Sequence, residues 1–235
     1  MTTAATELVV LDMAGTTIDE GLQVYRVLAE TATAHGGSPS EADIARWHGA
    51  AKHEALRALL TSRGVPPSDD VLHTVVSDFR SRLVAAYADS PPRPLPGVPE
   101  ALADLRSAGI RVALTTGFDR DIVDSLLRAL DWEGDSVVDA VVCGSDVTTG
   151  RPAPYMIFHA MEALAVTDVA RVLVAGDTPR DLEAGTNSGA AYVVGVLSGA
   201  GGAEELGAHR HTHLLSSVAE LPALLGVRTA AVSTS

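Results

Sequence analysis

The sequence contains almost no lysine and almost no cysteine. Lysine and arginine together number 17 among 235 residues, and all of them except Lys52 are arginine. Arginine cannot replace lysine as a nucleophilic amine, because its guanidinium stays protonated. Lys52 is therefore a candidate for amine chemistry, and the alternative is a lysine retained on a solvated helix face. The single cysteine, Cys143, excludes a disulfide within the chain and favours the reducing cytoplasm as its location.

Positive charge and long apolar runs are also scarce. The formal net charge is −13, which argues against a nucleic-acid partner, because such partners need clustered basic residues. No apolar run approaches the roughly 20 residues that would span a bilayer. Residues 1–7 lack the basic start and apolar core of a signal peptide. We therefore expect neither a nucleic-acid nor a membrane partner, and an anionic substrate would need a local positive site.

The sequence does contain a regular alternation of short apolar runs and helical patterns. The runs are rich in β-branched residues and fit strands that are buried on both faces. They cover residues 8–11, 111–115, 140–143, 172–175 and 192–196. Alternation of this kind predicts an α/β fold, in which a doubly wound parallel sheet forms a Rossmann-like core with helices on both faces.

A helical stretch interrupts this alternation after the first strand. Four helical patterns fill residues 22–88, and the proline-rich residues 90–97 predict a stiff, extended linker. We therefore predict two domains: an α/β core of residues 1–19 and 91–235, and an inserted α-helical cap of residues 20–90. Near the end of the chain, residues 216–225 are predicted to form an amphipathic helix that is followed by a disordered tail.

Polar residues follow several strands at the point where each strand ends. The carboxyl ends of strands in a doubly wound sheet share one crevice, which would bring together Asp12, Thr116, Arg151, Asp177 and Asp181. The two carboxylates of Asp12 and Asp177 suit Mg²⁺, while the Thr116 hydroxyl and the Arg151 guanidinium suit a phosphoryl group. Four of these residues have a plainer alternative: a turn cap for Asp12, a turn residue for Thr116, a surface ion pair for Arg151 and a helix-terminus residue for Asp181.

Four short motifs carry a resemblance to a known family. They are Asp12-Met13-Ala14-Gly15-Thr16-Thr17, Thr115-Thr116-Gly117, Gly150-Arg151-Pro152, and Gly176-Asp177-Thr178 with Asp181. This set resembles the four motifs of the haloacid dehalogenase superfamily, and the match covers nearly the whole chain. Within the superfamily, the AGTT and GRP forms and a lysine that follows Gly49-Ala50-Ala51 are most similar to phosphonatases, that is, phosphonoacetaldehyde hydrolases.

The resemblance implies a Mg²⁺-dependent hydrolase in which Asp12 attacks phosphorus and Lys52 forms an imine with the aldehyde. The implied metal ligands are Asp12, Ala14 through its carbonyl oxygen, and Asp177. Asp181 is implied to lie next to these ligands without binding the metal itself. The residues implied around the phosphoryl group are Thr116 and Arg151. The remaining substrate contacts are expected from Gly15, Thr16, Gly117, Phe118 and His48.

The sequence departs from phosphonatases at three positions. Ala55 stands where those enzymes usually carry a histidine, three residues after the cap lysine. Leu22 stands where they carry a cysteine after the first motif, and Phe118 lies where they have an aromatic hydroxyl. His48 and His53 flank the lysine without occupying the expected place. These departures bear on the identity of the substrate more than on phosphoryl transfer to the aspartate.

The predicted activity is hydrolysis of the carbon–phosphorus bond in a small phosphonate that carries a carbonyl. Phosphatases of the superfamily usually carry a general-acid aspartate two residues after the nucleophile, and here that position is Ala14. The alternatives are a phosphate monoester phosphatase for a small phosphorylated metabolite, and a non-catalytic binding or regulatory protein on the same fold. The expected partners are Mg²⁺ and the small-molecule substrate, with a homodimer as one possible assembly.

Overall fold

The structure is a computed structural model that describes residues 5–61, 66–132, 134 and 137–227. In this part of the chain the strands are β1 (Leu8–Asp12), β2 (Ile18–Asp19), β3 (Arg93–Pro94), β4 (Arg111–Thr116), β5 (Ala140–Cys143), β6 (Val172–Gly176), β7 (Tyr192–Val196) and β8 (His213–Leu215). The helices are α1 (Gln23–Ala34), α2 (Glu41–Ala45), α3 (Lys52–Thr61), α4 (Asp69–Asp89), α5 (Val98–Ser107), α6 (Arg120–Ala129), α7 (Tyr155–Ala163), α8 (Pro179–Ser188), α9 (Ala203–Gly207) and α10 (Leu221–Leu224).

The central sheet is parallel and has β1 in its interior. Among the described residues it contains six strands in the order β5-β4-β1-β6-β7-β8. Asp12 at the end of β1 lies opposite Thr115 of β4, and Leu11 lies opposite Ala175 of β6. The carboxyl ends of β1, β4 and β6 therefore meet at one edge, where α/β sheets place their ligand sites. The predicted doubly wound parallel sheet is confirmed.

The two faces of β1 pack into two different cores. Val9 and Leu11 belong to one hydrophobic cluster, and Leu8 and Val10 belong to another. Successive residues of a strand point to opposite faces, so a strand that is apolar at every position needs cover on both sides. Helices supply that cover here, which explains why the run showed no polar alternation.

The helices α1 to α4 lie in the chain between β2 and β3, which pair with each other. Ile18 lies opposite Pro94 and Asp19 opposite Arg93 in this antiparallel ribbon. The chain therefore leaves the sheet and returns to it at the same place. Ser40 and Asp43 form a capping box at the start of α2. The ribbon was not predicted, because two residues per strand are too few to show periodicity. The division into a core and a separate cap domain stays a prediction.

The end of the chain differs from the prediction. Residues 216–225 do not form one helix; a 3₁₀ turn at Val218–Glu220 leads into the short helix α10. Pro222 explains the break, because proline fits the first turn of a helix but cannot continue one that begins further upstream. The predicted disordered tail lies largely outside the described residues. No described helix is both long enough and apolar enough to cross a bilayer.

Candidate active site

Arg151 lies at the centre of the site, between two carboxylates. Its Nη1 lies 2.6 Å from Asp12 Oδ1 and 2.6 Å from Asp181 Oδ1. Its Nη2 donates a hydrogen bond to Thr115 Oγ1 at 3.1 Å. The residue is only 5% exposed, so the alternative of a surface ion pair is wrong. Thr115 was not singled out in the sequence, although it directly precedes the predicted Thr116.

Asp181 has two tasks, one with each carboxylate oxygen. Its Oδ2 accepts hydrogen bonds from the backbone N–H of Thr178 at 3.0 Å and from Thr178 Oγ1 at 2.5 Å, which is a capping box at the start of α8. Its Oδ1 faces Arg151. Gly176 makes room for this carboxylate, because a Cβ there would overlap Asp181 Cγ. The helix cap therefore also fixes the guanidinium.

Asp177 is enclosed by two loops. Thr16 Oγ1 donates to its Oδ1 at 2.9 Å, and the Ala200 N–H donates to its Oδ2 at 2.7 Å. Glycine is required on both sides, since a Cβ on Gly199 would overlap Asp177 Oδ2 and one on Gly15 would lie only 2.5 Å from it. The second loop was not predicted from the sequence, although the glycine-rich run after β7 was a usable signal.

The residues at this edge fit a magnesium ion. Burial raises the pKa of Asp12, against the opposing charge of Arg151. Burial also raises the pKa of Asp177, and the charge of Asp12 raises it further. Two anions that disfavour each other would both gain from a cation, and oxygen ligands are those that Mg²⁺ prefers. The described residues contain no group of three or more His, Cys, Asp or Glu placed for a metal, so such a site would combine two carboxylates with other oxygens, such as the Ala14 carbonyl.

The guanidinium of Arg151 is held between two carboxylates as a buried, permanent positive charge. Its Nη1 lies 2.6 Å from both Asp12 Oδ1 and Asp181 Oδ1. Although burial acts in the opposite direction, the charges of Asp181 and Asp12 raise the pKa of Arg151 above its ordinary value. A guanidinium is well suited to a phosphoryl group, which it can bind with two parallel hydrogen bonds.

We expect Arg151→Ala to lower kcat/KM for a phosphoryl substrate, because it removes charge stabilisation of the transition state. The loss should correspond to an increase of about 2–4 kcal/mol in activation free energy. Steady-state kinetics measure the loss, and the melting temperature reports the cost of leaving Asp12 and Asp181 unpaired. The control is Arg151→Lys, which keeps the positive charge but not the planar guanidinium. Its kcat/KM should lie between the values of the wild type and Arg151→Ala. A value of kcat/KM equal to that of the wild type in Arg151→Ala would remove this residue from the site.

Lys52 is buried at the start of α3, not on a solvated helix face. It is 6% exposed, and its Nζ donates to the Ala50 carbonyl at 2.9 Å. The ring centroids of Tyr25 and Phe118 lie 5.4 Å and 5.5 Å from Nζ. Burial lowers its pKa to about 8, although the charge of Asp12 acts in the opposite direction. More of this amine is therefore unprotonated near neutral pH than in an ordinary lysine.

The backbone that carries Lys52 packs directly on the predicted turn after β4. A Cβ on Gly117 would lie 2.7 Å from the Ala50 carbonyl oxygen, so only glycine allows this approach. The next residue, Phe118, is buried, and its N–H donates to Thr116 Oγ1 at 3.2 Å. This contact brings the lysine and the strand-end residues to one site.

His48 lies near Lys52, but the structure describes no hydrogen bond between the two side chains. Its ring packs on Tyr25, with centroids 4.0 Å apart. Burial and the charge of Lys52 lower its pKa to about 4, so it is neutral at pH 7. His53 is exposed. The sequence identified Tyr25 only as an apolar helix position, and nothing in the local pattern indicated that it faces the lysine.

The family of the chain follows from comparison with known proteins. The family model described as haloacid dehalogenase-like hydrolase matches residues 6–189, which include every strand-end motif. The chain is a haloacid dehalogenase-like hydrolase. The predicted membership is therefore confirmed, and the alternative of a non-catalytic binding protein loses its basis.

Relatives within this hydrolase family carry phosphonatase names. A phosphonoacetaldehyde hydrolase-like protein of Syntrophobacter fumaroxidans is 32% identical over 195 residues, which cover 77% of this chain and 69% of the relative. A phosphonoacetaldehyde hydrolase of Bacillus cereus is 28% identical over 207 residues, covering 82% and 76% of the two chains.

Two solved structures have a similar fold. A phosphonoacetaldehyde hydrolase-like protein from Oleispira antarctica aligns with a TM-score of 0.82 at 23% identity, covering 95% of this chain and 92% of its own. A hydrolase from Pseudomonas syringae aligns with a TM-score of 0.83 at 22% identity, covering 94% and 98%. At this identity the likeness establishes the fold alone.

Proposed function

We propose that this hydrolase cleaves the carbon–phosphorus bond of a small phosphonate whose β-carbon is a carbonyl. The observation that carries the proposal is the burial of the chain's one lysine, Lys52, beside Phe118 and Tyr25, with a pKa lowered to about 8. A lysine in such surroundings is a nucleophilic amine, able to form an imine with a carbonyl. The phosphonatase names of the relatives point to the same substrate class.

The imine supplies what a carbon leaving group needs. Condensation of the Lys52 amine with the carbonyl releases water and yields an iminium at the β-carbon. When Asp12 attacks phosphorus, the carbon–phosphorus bond breaks and its electron pair moves into the iminium, forming an enamine. Water then hydrolyses the phosphoaspartate and, in a separate step, the protonated enamine, which restores both side chains and releases phosphate and the dephosphorylated carbonyl compound.

The phosphoryl group would be held by donors that the chain already positions. Arg151 would supply its positive charge, and the Thr116 hydroxyl would donate a hydrogen bond. Gly15, Thr16 and Gly117 would line the phosphoryl group with backbone, while Phe118 and the neutral His48 would enclose the carbonyl end. Asp12, the Ala14 carbonyl and Asp177 would hold Mg²⁺, which would neutralise charge between two anions and polarise a phosphoryl oxygen.

A phosphate monoesterase is the alternative, and Ala14 argues against it. A departing alkoxide needs a proton, and a positioned general acid typically contributes ~10²–10⁴ in rate. A methyl side chain donates no proton. A carbon leaving group has no such need, because the iminium takes up its charge.

We therefore expect kcat/KM for phosphonoacetaldehyde to exceed that for a matched aldehyde phosphate ester by roughly 10²-fold or more. Both substrates are assayed by phosphate release, with Mg²⁺ and with a chelator. The variant Ala14→Asp is the control, since it should raise ester hydrolysis selectively. A clear preference of the wild type for the ester would replace the phosphonatase with the phosphatase.

A further inference from the structure

Arg180 is an arginine whose guanidinium binds two main-chain carbonyls from distant segments. It is the second residue of α8 and is half-buried. Its Nη1 donates to the Arg151 carbonyl at 3.2 Å, and its Nη2 donates to the Arg46 carbonyl at 3.3 Å. Among the described residues no carboxylate lies at ion-pair distance from it. The contacts of this side chain are therefore with backbone, which it can hold in place.

The Arg46 carbonyl belongs to the α2–α3 loop, residues 46–51. Arg180 Cζ also lies over the Trp47 ring of this loop, 5.4 Å from the ring centroid, which is within the range of a cation–π contact. A guanidinium combines both kinds of contact, because it packs on rings and presents its N–H donors in a fixed plane. Arg180 therefore holds the α2–α3 loop by its backbone and by an aromatic side chain.

The α2–α3 loop determines where the Lys52 amine lies. Lys52 directly follows the loop, and its Nζ donates to the Ala50 carbonyl at 2.9 Å. A Cβ on Gly117 would lie only 2.7 Å from that carbonyl oxygen. The loop also packs on the start of α8, where a Cβ on Gly49 would lie 2.4 Å from Thr178 Oγ1. A shift of the loop would therefore move the amine relative to the strand ends.

The second carbonyl bound by Arg180 is that of Arg151, whose guanidinium would face the phosphoryl group. Helix α8 binds this segment at another point as well, because Asn187 Nδ2 donates to the Pro152 carbonyl at 2.9 Å. Arg180 differs from Asn187 in that it also binds the α2–α3 loop. One side chain thus joins the segment that carries the amine to the segment that carries the guanidinium.

We infer that Arg180 is a positioning residue, which fixes the distance between the Lys52 amine and the phosphoryl site at Arg151. This inference rests on the proposed function, because a substrate needs that distance only if it carries both a carbonyl and a phosphoryl group. A reaction at one of the two ends should depend little on Arg180. A reaction at both ends should depend on it strongly, since a misplacement of about 1 Å can cost roughly 10²-fold in rate.

The test compares two aldehydes that cyanoborohydride traps on Lys52 in the presence of Mg²⁺. Acetaldehyde needs the amine alone, whereas glycolaldehyde phosphate also offers a phosphoryl group to Arg151. The ratio of the two trapping rates measures how well one small molecule reaches both ends of the site. In Arg180→Met, which keeps a long side chain without donors or charge, we expect the ratio to fall about tenfold or more. A general structural defect would lower both rates together and leave the ratio unchanged.

The ratio also removes an effect on the amine itself. The charge of Arg180 is one of the influences that lower the pKa of Lys52, so Arg180→Met changes the reactivity of the amine toward both aldehydes, and this change cancels. Attraction of the phosphate by the charge of Arg180 is tested with Arg180→Lys, which keeps the charge but not the planar guanidinium. Its ratio should also fall, though less. Peptide masses distinguish adducts on Lys52 from any at position 180.

The matched control is Asn187→Ala, which removes the other bond from α8 to the Arg151 segment and leaves the α2–α3 loop bound. Its ratio should equal that of the wild type. An equal fall in Asn187→Ala would assign the effect to the Arg151 segment alone and contradict the inference. A wild-type ratio in Arg180→Met overturns it as well. If Arg180→Met does not fold, a wild-type ratio in Arg180→Lys has the same consequence.

Cleavage of phosphonoacetaldehyde, measured by phosphate release, separates this inference from the proposed function. If the wild type cleaves no phosphonate but the trapping ratio still depends on Arg180, the proposed function fails and the positioning role stands. If the wild type cleaves the phosphonate and Arg180→Met keeps both its kcat/KM and its trapping ratio, the proposed function stands and the positioning role fails.

Discussion

Asp12→Asn should abolish turnover of every phosphoryl substrate, by a factor on the order of 10⁴ or more in kcat, while the protein stays folded. The amide is a poor nucleophile and a weaker metal ligand than the carboxylate. Because burial raises the pKa of Asp12, the folded state already favours the uncharged side chain, and Arg151 keeps Asp181 as a partner. The melting temperature should therefore not fall.

Phosphate release and the mass of the intact protein during turnover measure this prediction. The wild type should gain a phosphoryl group on the peptide that contains Asp12, and Asp12→Asn should not. Asp19→Asn is a suitable control, since this exposed carboxylate on β2 lies outside the site. Turnover at the wild-type rate in Asp12→Asn would exclude a phosphoaspartate on this residue.

Lys52→Arg should reduce phosphonate cleavage by about 10³-fold or more, which corresponds to roughly 4 kcal/mol. The substitution keeps a positive charge at this position but removes the only side-chain amine, so no imine forms. Any residual hydrolysis of a phosphate ester should be much less affected, because that reaction needs no electron sink on the substrate carbon.

Borohydride reduction during turnover provides the direct readout. It should leave a reduced adduct on the wild-type peptide that contains Lys52, with the α-amino group as the only competing amine. His53→Gln, a change at the exposed neighbour, should leave the adduct intact. A wild-type protein that turns over the phosphonate without any adduct at this lysine would eliminate the imine and the phosphonatase proposal with it.

Phosphoryl transfer to Asp12 and imine formation on Lys52 depend on different atoms, so either one can be wrong without the other. Asp12→Asn tests transfer of the phosphoryl group, which a phosphatase and a phosphonatase share. Lys52→Arg tests the chemistry at carbon, which only the phosphonatase needs. A wild-type protein that hydrolyses the ester but not the phosphonate, with this activity lost in Asp12→Asn and unchanged in Lys52→Arg, would be a phosphatase that carries a buried but unused lysine.

Several features of this hydrolase could be predicted from neighbouring residues alone. The apolar run of β1, with Asp12 at its end, indicated a strand buried on both faces, because hydrophobic periodicity is a local property. The strand-end positions of Thr116 and Asp177 followed from the same pattern, since parallel strands share one carboxyl edge. The scarcity of lysine was enough to single out Lys52 as a candidate for amine chemistry.

Other features were decided only by the tertiary structure. The sequence placed Lys52 on a helix but could not tell a solvated face from a buried one, and its lowered pKa depends on burial by distant segments. The hydrogen bond from the Tyr87 hydroxyl to the Glu20 carboxylate joins residues that are 67 positions apart in the chain. Arg151 takes its partners from three other segments, at Asp12, Thr115 and Asp181. Strand and helix patterns are encoded by adjacent residues, whereas burial, charge pairing and pKa depend on which remote segments meet.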